Sequence, residues 1–149
     1  MIEYAKGDIF YGGDDVIVHG CNCWVTFGAG IAKQVRKYYP LVYEIDQRTK
    51  CGDKAKLGTY TSIKTKNVHI PGKNVIIVNA YTQWGHDPET KPFDYEAFAT
   101  VLPKIKEDFK GLSIAMPKIG AGLAGGDWNR IEKMINDVFG ETKVKVYVL

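Results

Sequence analysis

Residues 116–128 read MPKIGAGLAGGDW, and the order of residue types in this stretch decides the fold class. The apolar triplet at 114–116 is typical of a buried strand, and Asp127 is a residue type that caps helices. Four of the seven residues 120–126 are glycine, whereas a simple turn needs only one or two. Strand, glycine loop and helix in this order predict backbone N–H groups that bind an anion.

A second loop of the same kind lies nearer the N-terminus. Residues 19–32 read HGCNCWVTFGAGIA and follow the apolar run at 16–18. The Gly-Ala-Gly at 28–30 precedes a helical pattern, so its N–H groups and the helix dipole favour an anion. The alternative is an ordinary strand–loop–helix turn. Two such loops in one small chain predict a phosphate-binding cleft at the carboxyl edge of a sheet.

The rest of the chain alternates strand and helix patterns. Strands are predicted at 16–18, 75–78, 114–116 and 144–148, with weaker candidates at 1–4 and 57–63. Helices are predicted at 31–38, 41–50, 94–109 and 127–138. Pro103 lies inside the third helical pattern and predicts a kink or a break there. The alternation indicates an α/β fold of three layers.

Length and composition indicate one domain over residues 1–149. The net charge of +3, from 20 basic and 17 acidic residues, is small and dispersed, which argues against a nucleic-acid partner. Three cysteines are too few and odd in number for a disulfide framework. No signal-peptide pattern and no apolar run of about 18 residues is present. We therefore expect a cytoplasmic protein with no membrane partner.

Two familiar nucleotide motifs are excluded. Gly120, Gly122 and Gly125 match the spacing G-x-G-x-x-G of dinucleotide-binding folds. Only 24 residues follow Gly125, which is too few for the rest of a dinucleotide domain. The G-x-x-x-x-G-K-[ST] motif of nucleoside triphosphatases does not occur.

His19, Cys21 and Cys23 raise the alternatives of a zinc site and a cysteine nucleophile. The paired C-x-x-C spacing of structural zinc sites is missing, even if His69, His86 or Cys51 joined the group. A nucleophile beside His19 has no recognisable strained turn around it. Packing of small thiols after a buried strand is the simpler interpretation, and we expect no metal and no other cofactor.

Three polar residues each have a structural and a functional interpretation. Asp127 is a helix cap, or a base that activates water at the exit of a phosphate loop. His19 is a hydrogen-bonded core residue, or an acid–base group at a strand end facing the cleft. Asp8 caps a turn, or accepts a hydrogen bond from an exocyclic amine.

These segments together resemble the macro domain family, whose members bind ADP-ribose and its derivatives. The matching pieces span most of the chain in the family's order, at residues 7–9, 18–22, 28–32, 117–123 and 125–128. HGCNC at 19–23, GAGIA at 28–32 and YYP at 38–40 look most like the small ADP-ribose 1″-phosphate phosphatase subgroup. The resemblance implies a three-layer α/β/α fold with a mixed, about six-stranded central sheet.

The resemblance also implies residue roles. Asp8 would hold the adenine amine with the Ile9 backbone nearby, and Asn22 would bind the distal ribose. The two loops would wrap the diphosphate and distal ribose through Gly28, Ala29, Gly30, Ile31, Ile119, Gly120, Ala121, Gly122 and Leu123. His19 and Asp127 would be the catalytic candidates. Tyr81 or Trp84 would line the distal pocket, or either would pack against the sheet.

The activity this implies is hydrolysis of the phosphomonoester of ADP-ribose 1″-phosphate to ADP-ribose and phosphate. The alternatives are a non-catalytic ADP-ribose-binding module and a hydrolase that removes ADP-ribose from acidic side chains. The deacylating relatives use a lysine after the central strand, but residues 79–84 here read NAYTQW. The implied partners are ADP-ribose, ADP-ribose 1″-phosphate or an ADP-ribosylated protein.

Overall fold

A six-stranded sheet forms the middle layer of the computed structural model, which describes residues 1–149. Its strands are β1 (Ile2–Lys6), β2 (Val16–Cys21), β3 (Tyr60–Lys66), β4 (Asn74–Tyr81), β5 (Ile114–Met116) and β6 (Val144–Val148). The strand order is β1-β6-β5-β2-β4-β3, and every neighbouring pair is parallel except β3 with β4. The predicted mixed α/β sheet is confirmed, including both weaker strand candidates.

Four helices cover the two faces of the sheet. They are α1 (Gly30–Tyr38), α2 (Pro40–Gln47), α3 (Tyr95–Asp108) and α4 (Trp128–Phe139). The second helix ends at Gln47, three residues before the predicted end. None of the helices combines the length and the apolar character that crossing a membrane requires.

Of the predicted kink or break at Pro103, the break does not occur, because α3 continues through Pro103 to Asp108. Pro103 lies on the exposed side of the helix, and so does Ala99, one turn earlier. The carbonyl that loses its helical partner there can bond to water instead. Burial of Val101, Leu102 and Ile105 on the opposite side holds the helix together.

The core consists of two apolar clusters, one on each face of the sheet. Val16 and Val18 of β2 point into the cluster under α3 and α4, whereas Ile17 points into the cluster under α1 and α2. Successive side chains of a strand point to opposite faces, so a strand covered on both sides is apolar throughout. This explains the uninterrupted apolar runs in the sequence.

A buried carboxylate ties α2 to the sheet. Asp46 is fully buried, and its Oδ1 accepts a hydrogen bond of 2.6 Å from the Tyr81 hydroxyl. Its Oδ2 has no hydrogen-bond partner. Burial raises the pKa of Asp46, and the hydrogen bond from Tyr81 opposes that rise. Tyr81 is thus the main hydrogen-bond donor to the Asp46 carboxyl group, whose burial costs free energy.

We predict that Tyr81→Phe lowers the free energy of unfolding by about 2 kcal/mol, because it leaves the buried Asp46 without its hydrogen-bond donor. Urea denaturation at neutral pH measures the change. The matched control is Tyr38→Phe, since Tyr38 packs through its ring on Phe10 and His69; we expect less than about 0.5 kcal/mol there. Equal effects of the two substitutions would contradict the assigned role.

Candidate ligand-binding site

The two glycine loops face each other across a cavity of about 510 Å³, called here the main cavity. The first loop follows β2, and the second follows β5, its direct neighbour in the sheet. Both strands run in the same direction, so both loops open at the same edge. From the predicted set, the lining includes Asn22, Gly28, Ala29, Gly30, Ile31, Ile119, Gly120, Gly122 and Leu123.

The first loop ends in an uncapped helix N-terminus. Ala29 is the N-cap residue of α1 and offers no side-chain acceptor to the first turn. The N–H groups of Gly30, Ile31 and Ala32 make no hydrogen bond within the chain. Free N–H groups and the positive end of the helix dipole make this position suited to an anion.

The second loop is folded tightly around Gly120. This residue has φ +78°, and its carbonyl accepts a hydrogen bond of 2.6 Å from the Gly126 N–H. A Cβ atom at Gly120 would lie 2.5 Å from the Phe93 ring. The N–H groups of Gly120, Gly122 and Leu123 have no partner within the chain. Glycine is therefore required at 120 to leave these donors available at the cavity.

We predict that Gly120→Ala lowers the free energy of unfolding by about 1–3 kcal/mol, because alanine disfavours this positive φ and its Cβ would clash with Phe93. Gly122→Ala is the matched control, since a Cβ there meets no atom within 4 Å. Thermal unfolding of both variants measures the difference. Equal destabilisation by the two substitutions would show that the close contact with Phe93 is unimportant.

A second cavity, of about 570 Å³, adjoins the main cavity. The two share the lining residues Gly30, Ile31, Pro117 and Lys118. Asp8 and Ile9 line this second cavity, together with Gly7, Gln34, Tyr147, Val148 and Leu149. The Asp8 Oδ1 accepts a hydrogen bond of 2.9 Å from the Phe10 N–H, which confirms the turn cap. Its Oδ2 forms no hydrogen bond within the chain and is available to a ligand.

The charges around the main cavity favour an anion. Neither aspartate nor glutamate lines it, whereas Lys118 and His86 do. The sequence interpretation missed both as site residues, along with Thr26 and Gln83. Gln83 and His86 follow β4, which pairs with β2. The pairing order of the strands would have indicated them, but the sequence alone does not specify that order.

Asn22 lines the main cavity and also organises the loop that follows it. Its Oδ1 accepts a hydrogen bond of 2.8 Å from the Trp24 N–H, and its Nδ2 donates one of 2.6 Å to Thr26 Oγ1. Between them, Val25 has φ +61°. A β-branched residue is rarely found with such a φ, so the loop stores strain that these hydrogen bonds hold in place.

The structure corrects the expectation that His19 faces the cleft. The imidazole is fully buried, and its Nε2 donates a hydrogen bond of 2.6 Å to Asn79 Oδ1. Its ring also meets Phe27 edge to face. Burial lowers the pKa of His19 to about 4, so the neutral imidazole is favoured. Side chains alternate along a strand, and this one lies in the core while the backbone beyond it reaches the cavity.

Three other predicted residues also lie outside both cavity linings: Tyr81, Ala121 and Asp127. Tyr81 packs within the sheet, which was the alternative interpretation of this residue. Asp127 is exposed and caps α4, because its Oδ1 accepts a hydrogen bond of 3.0 Å from the Asn129 N–H. Catalysis by His19 or Asp127 stays a prediction.

Cys21 and Cys23 lie in the core rather than in a reactive setting, whereas Cys51 is exposed. Burial raises the pKa of Cys21 well above its usual value and that of Cys23 to about 11, which disfavours the nucleophilic thiolate. Cys21 lies 3.6 Å from His19 Nε2. No group of three or more His, Cys, Asp or Glu side chains is placed to hold a metal ion.

We predict that the protein loses stability as the pH falls from about 6.5 to about 4, partly through His19. The pKa of His19 in the folded protein lies below its value in the unfolded chain. The contribution of His19 to the free energy of unfolding is therefore complete above pH 6.5 and disappears as the pH falls through about 4. It amounts to on the order of 3 kcal/mol. Urea denaturation of wild type and His19→Gln across this range measures it. Parallel pH profiles for the two proteins would contradict it.

Comparison with known proteins places the chain in a family. The model of the macro domain family matches residues 18–135. An uncharacterized 17.5 kDa protein of phage T4 is 32% identical to the chain, with 98% of this chain and 95% of that protein covered. The chain therefore belongs to the macro domain family.

Several relatives have names that describe an activity. The ADP-ribose 1″-phosphate phosphatase of Candida albicans is 28% identical, with 100% of both chains covered. The human ADP-ribose glycohydrolase OARD1 is 28% identical, with 99% of this chain and 90% of that protein covered. The names of these two relatives describe hydrolases that act on ADP-ribose derivatives.

Solved structures confirm the fold. A protein of Bacteroides thetaiotaomicron superimposes with a TM-score of 0.83 at 28% identity, with both chains fully covered. Thermosipho africanus DarTG in complex with ADP-ribose superimposes with a TM-score of 0.81 at 18% identity, with 99% of this chain and 41% of that chain covered. At that identity the second likeness concerns the fold alone.

Proposed function

We propose that this protein binds ADP-ribose across the two joined cavities, with the diphosphate between the glycine loops. The observation that carries the proposal is the pairing of two sets of unpartnered N–H groups across one cavity that no carboxylate lines. The first set belongs to Gly30, Ile31 and Ala32, and the second to Gly120, Gly122 and Leu123. Donors without internal partners stabilise a phosphate strongly, because nothing within the protein competes for them.

The adenine occupies the second cavity in this proposal. The unpaired Oδ2 of Asp8 accepts a hydrogen bond from the exocyclic amine, and the unpaired N–H of Ile9 donates one to a ring nitrogen. The distal ribose lies at the other end of the main cavity, beside Asn22, whose amide also keeps the 22–26 loop in shape.

The second function that we propose is hydrolysis of the terminal phosphate of ADP-ribose 1″-phosphate. Its support is the similarity over the full length to a phosphatase of that name. Water attacks the phosphorus and releases one proton to solvent, the bond from phosphorus to the ribose oxygen breaks, and ADP-ribose and hydrogen phosphate leave. His86 lines the main cavity, and in this proposal its imidazole gives a proton to the leaving oxygen. The loop N–H groups stabilise the charge on the phosphate.

We predict that Ala29→Asp raises the stability of the protein and weakens ADP-ribose binding by at least about tenfold. Aspartate at this N-cap bonds to the first-turn N–H groups and stabilises α1 by about 1 kcal/mol. The same carboxylate removes those donors from the diphosphate and repels it. Thermal unfolding and isothermal titration calorimetry measure the two effects.

The matched variant is Ala29→Ser, which caps the helix without a charge. We expect it to bind ADP-ribose more tightly than Ala29→Asp and less tightly than wild type. Unchanged binding in Ala29→Asp, with the protein folded, would mean that the diphosphate does not lie at α1.

For hydrolysis, we predict that His86→Ala lowers phosphate release from ADP-ribose 1″-phosphate by about 10²–10⁴-fold while ADP-ribose still binds. Asp127→Asn and His19→Ala test the earlier catalytic candidates, and we expect phosphate release from both as long as they remain folded. Loss of release in folded Asp127→Asn would assign catalysis to that carboxylate. If the wild-type protein binds ADP-ribose but releases no phosphate, the function is that of a non-catalytic binding module. If it releases ADP-ribose from a modified glutamate, the alternative of a hydrolase acting on acidic side chains is favoured.

A further inference from the structure

A third cavity, of about 480 Å³ and called here the tryptophan pocket, lies beside the main cavity. Trp24 and Trp84 line it, and their indoles meet edge to face with ring centroids 5.1 Å apart. Each of the two residues is 37% exposed, and neither lines the main cavity. Indoles left at a surface cavity present apolar faces that a ligand can cover. The other lining residues are Gly85, His86, Asp87, Thr90 and Pro92.

Asp87 supplies a carboxylate without an internal partner. Its Oδ1 accepts a hydrogen bond of 3.1 Å from the Glu89 N–H, which fixes the side chain as the cap of the short 3₁₀ helix Pro88–Thr90. Its Oδ2 forms no hydrogen bond, and no lysine or arginine of the chain pairs with it. A carboxylate in this state attracts a positively charged ligand and repels phosphate and carboxylate groups.

The indole faces favour the same kind of ligand. The negative face of an aromatic ring attracts ammonium and guanidinium groups, and indole does so most strongly. The chain itself makes such a contact, because Lys54 Nζ lies 4.8 Å from the centre of the Trp84 ring. Lys54 does not line the tryptophan pocket, so it approaches Trp84 from outside it. The indole surfaces inside the pocket are therefore open to a cation from a ligand.

Gly52 holds both indoles in place. Its carbonyl accepts a hydrogen bond of 2.9 Å from Trp84 Nε1. A Cβ atom at Gly52 would lie 2.9 Å from the nearest Trp24 ring atom, so that ring packs directly on the glycine backbone. With the indoles and the Asp87 side chain both fixed before binding, a ligand group pays little conformational entropy of the protein when it enters.

Of the two cationic side chains that proteins carry, arginine matches this pocket better than lysine. A guanidinium group is planar and stacks on an indole, while the N–H donors at its edge reach a carboxylate. The pocket offers both features, in its two indoles and in Asp87 Oδ2. A lysine ammonium has no flat face to stack and would use the charge alone.

The position of the tryptophan pocket indicates what carries the arginine. His86 lines both this pocket and the main cavity, so the two are adjacent. In the proposed binding mode the distal ribose lies at the Asn22 end of the main cavity. A residue linked to that ribose would leave the main cavity past His86, and its neighbour in a polypeptide would reach the two indoles.

We propose that the tryptophan pocket binds an arginine side chain of a polypeptide whose attached ADP-ribose occupies the main cavity. The proposal rests on the proposed function, because the ADP-ribose group sets the place where the polypeptide leaves.

The test measures by calorimetry the binding of free ADP-ribose and of three peptides that carry ADP-ribose on one serine. The peptides differ only in the residue next to that serine, which is arginine, lysine or alanine. We expect the arginine peptide to bind about tenfold more tightly than the alanine peptide, with the lysine peptide between them.

Asp87→Asn should remove most of this gain without changing the affinity for free ADP-ribose, because asparagine keeps the helix cap but loses the charge. Trp84→Phe should retain part of the gain, since phenylalanine attracts cations less strongly than tryptophan. The matched control is Glu89→Gln, which removes a carboxylate two residues away that does not line the pocket. We expect the gain to persist in that variant.

Equal affinities for the arginine and alanine peptides would overturn the proposal, and so would a full gain in folded Asp87→Asn. Melting curves show whether Trp84→Phe is folded, and if it is not, Asp87→Asn decides alone. Failure of free ADP-ribose to bind would overturn the proposed function instead. In that case the unmodified arginine peptide is titrated into the protein. Quenching of tryptophan fluorescence that is lost in Asp87→Asn would support the pocket, and no quenching would reject it.

Discussion

The parallel pairing of β2 with β5 is the constraint on which the binding site depends. Val16 and Ile17 pair with Ile114 and Ala115 in the middle of the sheet. Since both strands run in the same direction, the loops that follow them leave the sheet at one edge. β4 runs parallel to β2 on its other side, and its carboxyl end brings Gln83 and His86 to the same place. Three segments far apart in sequence thus surround one cavity.

The protein leaves favourable local interactions unmade at this edge. The N-cap of α1 is an alanine, although a capping side chain there would add about 1 kcal/mol. Val25 keeps a φ of +61° within a loop bridged by the Asn22 side chain. Unfilled caps and strained backbone persist where the surrounding structure over-determines them, and they gather at binding sites. The open N-cap of α1 and the strained loop lie beside a cavity that no carboxylate lines, and this is the physical basis of the proposed anion site.

Behind this edge, five polar side chains form one connected hydrogen-bond network. His19 donates to Asn79, whose amide donates to Thr61 Oγ1. The Thr61 and Tyr81 hydroxyls are 3.0 Å apart, and Tyr81 donates to Asp46. The network joins β2, β4, β3 and α2, so its members hold the layers together. Two residues singled out from the sequence for the site, His19 and Tyr81, belong to it, because a polar residue in a core needs partners as much as one in a cleft does.

The sequence by itself determined the strands, the helices and the two glycine loops. Periodicity predicted the strands and helices, and the strand–glycine–helix order predicted two loops with free N–H groups, because glycine and helix starts act locally. Only the tertiary structure decided which side chains reach the cavity. The direction of the His19 side chain, the arrival of His86 from a neighbouring strand and the meeting of Trp24 with Trp84 depend on strand order and packing between distant segments. The spacing of residues along the chain does not predict those contacts, because they form only once the sheet has formed.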